Sequence, residues 1–171
     1  LSWTLIHSSD RMIITSFLGV AANGIVAVSA KFSNIYTTIF SVFNASWAEQ
    51  VVLHYKDRGG PEYINRMFDK MVTLFGSFAI GIIAVMPFVY HLFVPNSEYA
   101  EAYNLIPFYM IAVFFNVIIG LISSIYAVEN ETKLVAISTG VAAFINIVVG
   151  LIVIKLVGIY AAPISSICGY A

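Results

Sequence analysis

Five stretches of this chain contain no aspartate, glutamate, lysine or arginine: residues 12–30, 32–48, 71–97, 102–128 and 134–154. A helix needs roughly 20 consecutive apolar residues to cross a bilayer, and soluble core helices rarely sustain a clean run of about 18. Composition points the same way. Of the 171 residues, 60% are hydrophobic and 10% charged, whereas an ordinary soluble domain carries about 25% charged residues. The pattern predicts an all-α integral membrane protein. A membrane β-barrel would instead read as alternating segments of about 10 residues, and none is visible.

The runs predict five transmembrane helices, over about 1–19, 22–48, 71–93, 103–128 and 133–156, plus the start of a sixth near Ile159. Together they make one helical membrane domain over 1–171. The chain opens on Leu1 and breaks off inside the apolar run "APISSICGYA", which reads as a fragment of a longer polytopic protein. A single cysteine, Cys168, excludes an internal disulfide framework.

Charge collects in the connections. The long 48–70 segment carries Lys56, Arg58, Arg66 and Lys70, with Gly59-Gly60-Pro61 as its breaker. The short 129–133 turn carries Lys133, and 94–103 carries only Glu98 and Glu101. Basic residues mark cytoplasmic loops, so 49–70 and 129–133 are expected inside and 94–103 outside. Trp47 on the inner side, with Tyr90, Tyr99 and Tyr103 on the outer, would form aromatic belts, and Lys155 can snorkel from a helix end.

This topology buries charge. Asp10 and Arg11 lie about nine residues before a turn near Gly19, which places them roughly 13 Å below the outer surface. An antiparallel hairpin about that turn brings Lys31 to a similar depth. Thr4, Ser8, Arg11 and Thr15 form one polar helical stripe, with His7 beside Arg11, and Lys31, Asn34, Thr38 and Ser41 form another. Ionisable residues inside a bilayer are costly and face protein or a wet cavity. Two readings follow. Asp10 could pair with Lys31 and staple the hairpin. Alternatively, Arg11 and Lys31 leave a net positive cavity for an anionic substrate, with Asp10 orienting one of them and His7 and Asn34 at the same cavity.

Other residues read more plainly. Asn116 and Asn146 suit interhelical hydrogen bonding, Pro87 and Pro107 suit kinks, and Gly81, Gly120 and Gly150 suit close helix packing. His54 and His91 fall at interfacial positions. No CxxC, HExxH, P-loop or GxSxG pattern is present, so no enzyme chemistry, metal site or cofactor is indicated.

Several stretches carry a resemblance. "SSDRMIITSFLGVAANGIVAVSAKFSNIYTTIFSVFNASWAEQ", "YAEAYNLIPFYMIA" and "ETKLVAISTGVAAFINIVVGLIVIKLVGIYAAPISSICGYA" resemble, in order and spacing, the polysaccharide repeat-unit flippases of the MATE-like multidrug/oligosaccharidyl-lipid/polysaccharide exporter superfamily. Asp10, Arg11 and Lys31 match the family pattern, while Asn23 and Val26-Ala27 depart from it. The resemblance implies helices seven to eleven and the start of the twelfth, within one lobe of a two-lobe transporter. It implies that an undecaprenyl-pyrophosphate-linked oligosaccharide (O-antigen, capsule or exopolysaccharide unit) is translocated by alternating access across the bacterial inner membrane. The polysaccharide polymerase and glycosyltransferases are implied as partners. Such a pyrophosphate needs cations in place of its hydration, and Arg and Lys supply them. The competing readings are a MATE-type drug or cation antiporter, a membrane-embedded glycosyl or acyl transferase, and a structural scaffold. An antiporter for cations needs net negative charge in its cavity, whereas these helices offer two cations against one acid.

Overall fold

The computed structural model of the protein describes the backbone of residues 2–93 and 100–171, and within these the side chains of residues 10–90, 92 and 101–171. The described chain is helical almost throughout. Helix α1 spans Ser2–His54, α2 Gly60–Phe93, α3 Ala100–Val128 and α4 Thr132–Val157; a 3-10 turn at Gly158–Tyr160 leads into α5, Ala161–Tyr170. Four helical stretches are long and apolar enough to cross a membrane. The count differs from the expected five and the start of a sixth, for a local reason. No connecting turn separates 1–19 from 22–48: one residue, Gly19 (φ 87, ψ 177), interrupts an otherwise continuous helix. At the other end, the 3-10 turn joins α4 to α5 within a single stretch.

The interruption at Gly19 reverses the chain. After it, Ser29 Oγ donates to the Ala102 carbonyl (2.9 Å), Trp47 Nε1 to the Leu121 carbonyl (3.0 Å) and Tyr55 Oη to Glu129 (2.7 Å). This second arm of α1 therefore runs beside α3 in the same direction. Yet Asp10 lies within electrostatic reach of the Tyr109 phenol, and Ile14 shares a buried cluster with Val26, Leu105 and Tyr109. In an unbroken helix Asp10 would stand roughly 28 Å from Ser29, on the side away from Tyr109. The first arm must double back on the second. The φ/ψ pair at Gly19 falls in a region open essentially to glycine alone.

Helix α2 runs against the second arm, as the ring pairs Phe32–Tyr90 (6.2 Å), Tyr36–Phe75 (5.8 Å) and His54–Tyr63 (4.5 Å) show. Helix α3 holds the centre. Its residues Ala102, Ile106, Met110, Val113, Val117 and Leu121 recur at helical spacing and bury against Tyr36, Phe40 and Trp47 of α1 and Phe75 and Met86 of α2. Its other side, Leu105 and Tyr109, meets Ile14, Ile154, Ala161 and Ala162. The outward faces stay apolar: Ile80, Phe88 and Leu92 of α2 and Phe144, Ile152 and Leu156 of α4 are at least 60% exposed. Apolar surface on that scale suits lipid rather than water.

Several expectations need correction. Trp47 and Tyr90 do not form an outward belt: both are buried, Trp47 on α3 and Tyr90 edge-on to half-buried Tyr103 (5.5 Å). The expected long loop at 48–70 shrinks to 55–59, because α1 continues to His54 and α2 starts at Gly60, with Val51 and Ile64 buried. A Cβ at Gly60 would collide with the His54 carbonyl, so the reversal there needs glycine. A Cβ at Gly120 would press on the Phe40 ring at 2.9 Å, but one at Gly81 would meet nothing, so Gly81 serves no close packing. Pro87 and Pro107 do lie inside helices, as the expected kinks require. Glu98 and Tyr99, and the side chain of His91, lie outside the described residues.

Candidate functional site

Asp10 sits on the first arm of α1 and is 3% exposed. Its partners are uncharged. Ser166 Oγ donates to Oδ2 at 2.9 Å, and Ser165 Oγ lies 3.2 Å from Oδ1 and 2.9 Å from the Ala162 carbonyl, sharing its proton between them. Both serines come from α5, and local sequence explains how they reach Asp10. Gly158, at φ 59, ends α4 and lets the chain turn back. Gly169 then seats α5 against α4, where a Cβ would stand 3.0 Å from the Ala142 carbonyl and 3.1 Å from Asn146 Cβ. Gly150 leaves similar room for Ile13 and Ser165.

Asn146 completes this cluster from α4 and is fully buried. Its amide lies within reach of the Asp10 carboxylate, but neither Nδ2 nor Oδ1 makes a well-formed hydrogen bond. Asn146 therefore faces Asp10 across the helix interface, as expected of an interhelical asparagine, without closing a well-formed hydrogen bond. Leaving such a group unsatisfied costs about 1–3 kcal/mol. The phenols of Tyr109 and Tyr170 stand near the same carboxylate.

The two cations behave differently from Asp10. Arg11 and Lys31 are both exposed. Among the described residues the only ion pair is His54–Asp57, at 2.9 Å, so neither cation is paired and Asp10 is not joined to Lys31. Arg11 stands about eight residues before Gly19 and Lys31 about twelve after it, so the fold-back leaves them within roughly 6 Å of the same depth. That gap is within the reach of two long side chains.

Lys31 shares its exposed face with Asn34, Thr38 and Ser41. Thr38 Oγ1 donates to the Asn34 carbonyl (2.8 Å) and Ser41 Oγ to the Thr38 carbonyl (2.7 Å), so both hydroxyl protons are spent within the helix. The Lys31 ammonium and the Asn34 amide remain as the donors able to turn outward. On the first arm Arg11 and Thr15 are exposed together. The side chains of His7, Thr4 and Ser8 lie outside the described residues.

Sequence reasoning singled out Asp10, Arg11, Lys31 and Asn34 but missed Ser165 and Ser166 and did not join Asn146 to Asp10. The adjacent serines in "APISSICG" were the available signal, in a helix otherwise mostly apolar. The chain matches no protein-family model, no curated protein and no solved structure.

Proposed function

We propose that the chain belongs to a transporter that translocates a pyrophosphate-linked lipid oligosaccharide across the bacterial inner membrane by alternating access. In this reading the two arms of α1 cross the bilayer separately, within one lobe of a two-lobe MATE-like architecture. The observation that carries it is the division of charge at Asp10 and Arg11. The carboxylate is engaged by serines inside the helix packing, so it does not neutralise either cation. Arg11 and Lys31 stay exposed in apolar stretches and make no ion pair among the described residues, and residue count from Gly19 puts them within about 6 Å of the same depth. Two unpaired cations in such surroundings suit a multiply charged anion: Arg grips phosphate oxygens through two parallel N–H donors and Lys adds a point charge. A cation antiporter would need acids free to face its cavity, and the Asp10 carboxylate is buried against the serines of α5.

The test is genetic. Arg11→Ala should abolish surface polysaccharide while the protein still accumulates in the membrane. Arg11→Lys should keep part of the export, because a point charge replaces the two-donor grip. Lys155→Ala, which removes the same formal charge from the exposed last turn of α4, should be tolerated. Normal export by an abundant Arg11→Ala protein would remove the claim.

A further inference from the structure

We propose that the polar stripe beside Lys31 on the second arm of α1 selects the sugar that adjoins the pyrophosphate. Asn34, Thr37, Thr38 and Ser41 favour an uncharged sugar rich in O–H and N–H donors, such as an N-acetylhexosamine, over one that carries a carboxylate. The assignment rests on the reading of Arg11 and Lys31 as a pyrophosphate site and concerns what lies next to it. From Lys31 to Ser41 the stripe runs roughly 15 Å toward the end that holds residues 55–59. Lys31, Asn34, Thr38 and Ser41 are exposed along it, with Thr37 half-buried at its side. No formal charge follows Lys31 until Glu49. Uncharged groups alone therefore meet whatever lies on this face of the arm.

Those groups are mostly acceptors. Thr37 Oγ1 and Thr38 Oγ1 both donate to the Asn34 carbonyl (3.0 and 2.8 Å), and Ser41 Oγ donates to the Thr38 carbonyl (2.7 Å). A hydroxyl has one proton, and once it is spent within the helix only lone pairs are left to turn outward. The Asn34 amide is the one side-chain donor of the stripe, beside a Lys31 ammonium that the phosphate engages.

The consequence is a preference. A sugar O–H or an acetamido N–H laid over Thr38 and Ser41 finds an acceptor, and every bond in the helix stays intact. A carboxylate brings lone pairs against lone pairs. To accept a proton from either hydroxyl it must first break that hydroxyl's intrahelical bond. Discrimination then comes from the repelled alternative as well as from the favoured partner.

The experiment compares two lipids in vesicles that carry the purified protein. One is a lipid pyrophosphate bearing an N-acetylhexosamine, the other the same lipid bearing a hexuronic acid, and transfer of each to the opposite leaflet is followed with time. Wild type should move the acetamido lipid faster. Thr38→Val and Ser41→Ala should each lower that preference by roughly two- to tenfold, the factor that one net hydrogen bond sets, by slowing the acetamido lipid. Thr73→Val removes an exposed α2 hydroxyl with the same kind of intrahelical bond, to the Asp69 carbonyl, and should leave the preference unchanged. Equal wild-type rates for the two lipids, both lost in Arg11→Ala, would overturn the sugar preference and leave the pyrophosphate site standing. No transfer of either lipid by wild type would remove both. A preference kept in full by Thr38→Val and Ser41→Ala, or lowered as much by Thr73→Val, would also overturn it.

Discussion

At Asp10 and Arg11 a helical rotation of about 100° per residue carries two adjacent side chains into different surroundings. Asp10 turns into the packing against α5, and Arg11 turns out of it. Their chemistry follows from that rotation more than from their proximity in sequence. The sequence reading assigned both a depth by residue count from a turn near Gly19, and the structure does break α1 at that residue. That reading missed the partner of Asp10, because uncharged serines far along the chain carry no periodic signal. Trp47 shows the same limit, since a tryptophan ending an apolar run reads alike whether it meets lipid or a neighbouring helix. Its burial carries a prediction. Trp47→Phe removes the hydrogen bond to the Leu121 carbonyl and should cost about 1 kcal/mol, plus whatever the smaller ring leaves unfilled. A lowered midpoint in detergent, with helix content unchanged by circular dichroism, would be the expected record.

Among the elements, α1 departs most from expectation. The apolar runs at 12–30 and 32–48 locate both of its arms, but sequence alone treats the reversal as a loop of its own. The structure compresses that reversal into the φ/ψ of Gly19, which only a residue without Cβ accepts cheaply. Gly19→Ala should cost about 1–3 kcal/mol through backbone strain. The added Cβ has no neighbour within 4 Å, so a steric clash would not explain the loss. An alanine variant as stable as wild type would show that the arms do not need this conformation. The 48–70 segment erred in the opposite direction. Its charges suggested a loop, but charged residues on exposed turns of α1 and α2 extend those helices beyond their apolar spans while Val51 and Ile64 stay packed.

Across the whole molecule, the connections at 55–59 and 129–131 lie at one end, tied by the Tyr55–Glu129 hydrogen bond, and Tyr90 meets Tyr103 at the other. Single cysteines at Arg58 and Glu101, both exposed, in a Cys168→Ser background should then react oppositely with a membrane-impermeant thiol reagent in whole cells. The position 101 cysteine should label and the position 58 cysteine should not; the reverse would invert the assigned orientation. Transport itself is tested most directly by reconstitution. The purified protein would be placed in vesicles loaded with a pyrophosphate-linked oligosaccharide lipid, and the fraction reaching the opposite leaflet followed with time. The account predicts translocation by wild type, its loss in Arg11→Ala and partial recovery in Arg11→Lys. Wild-type vesicles no faster than empty ones, or Arg11→Ala vesicles as fast as wild type, would contradict it.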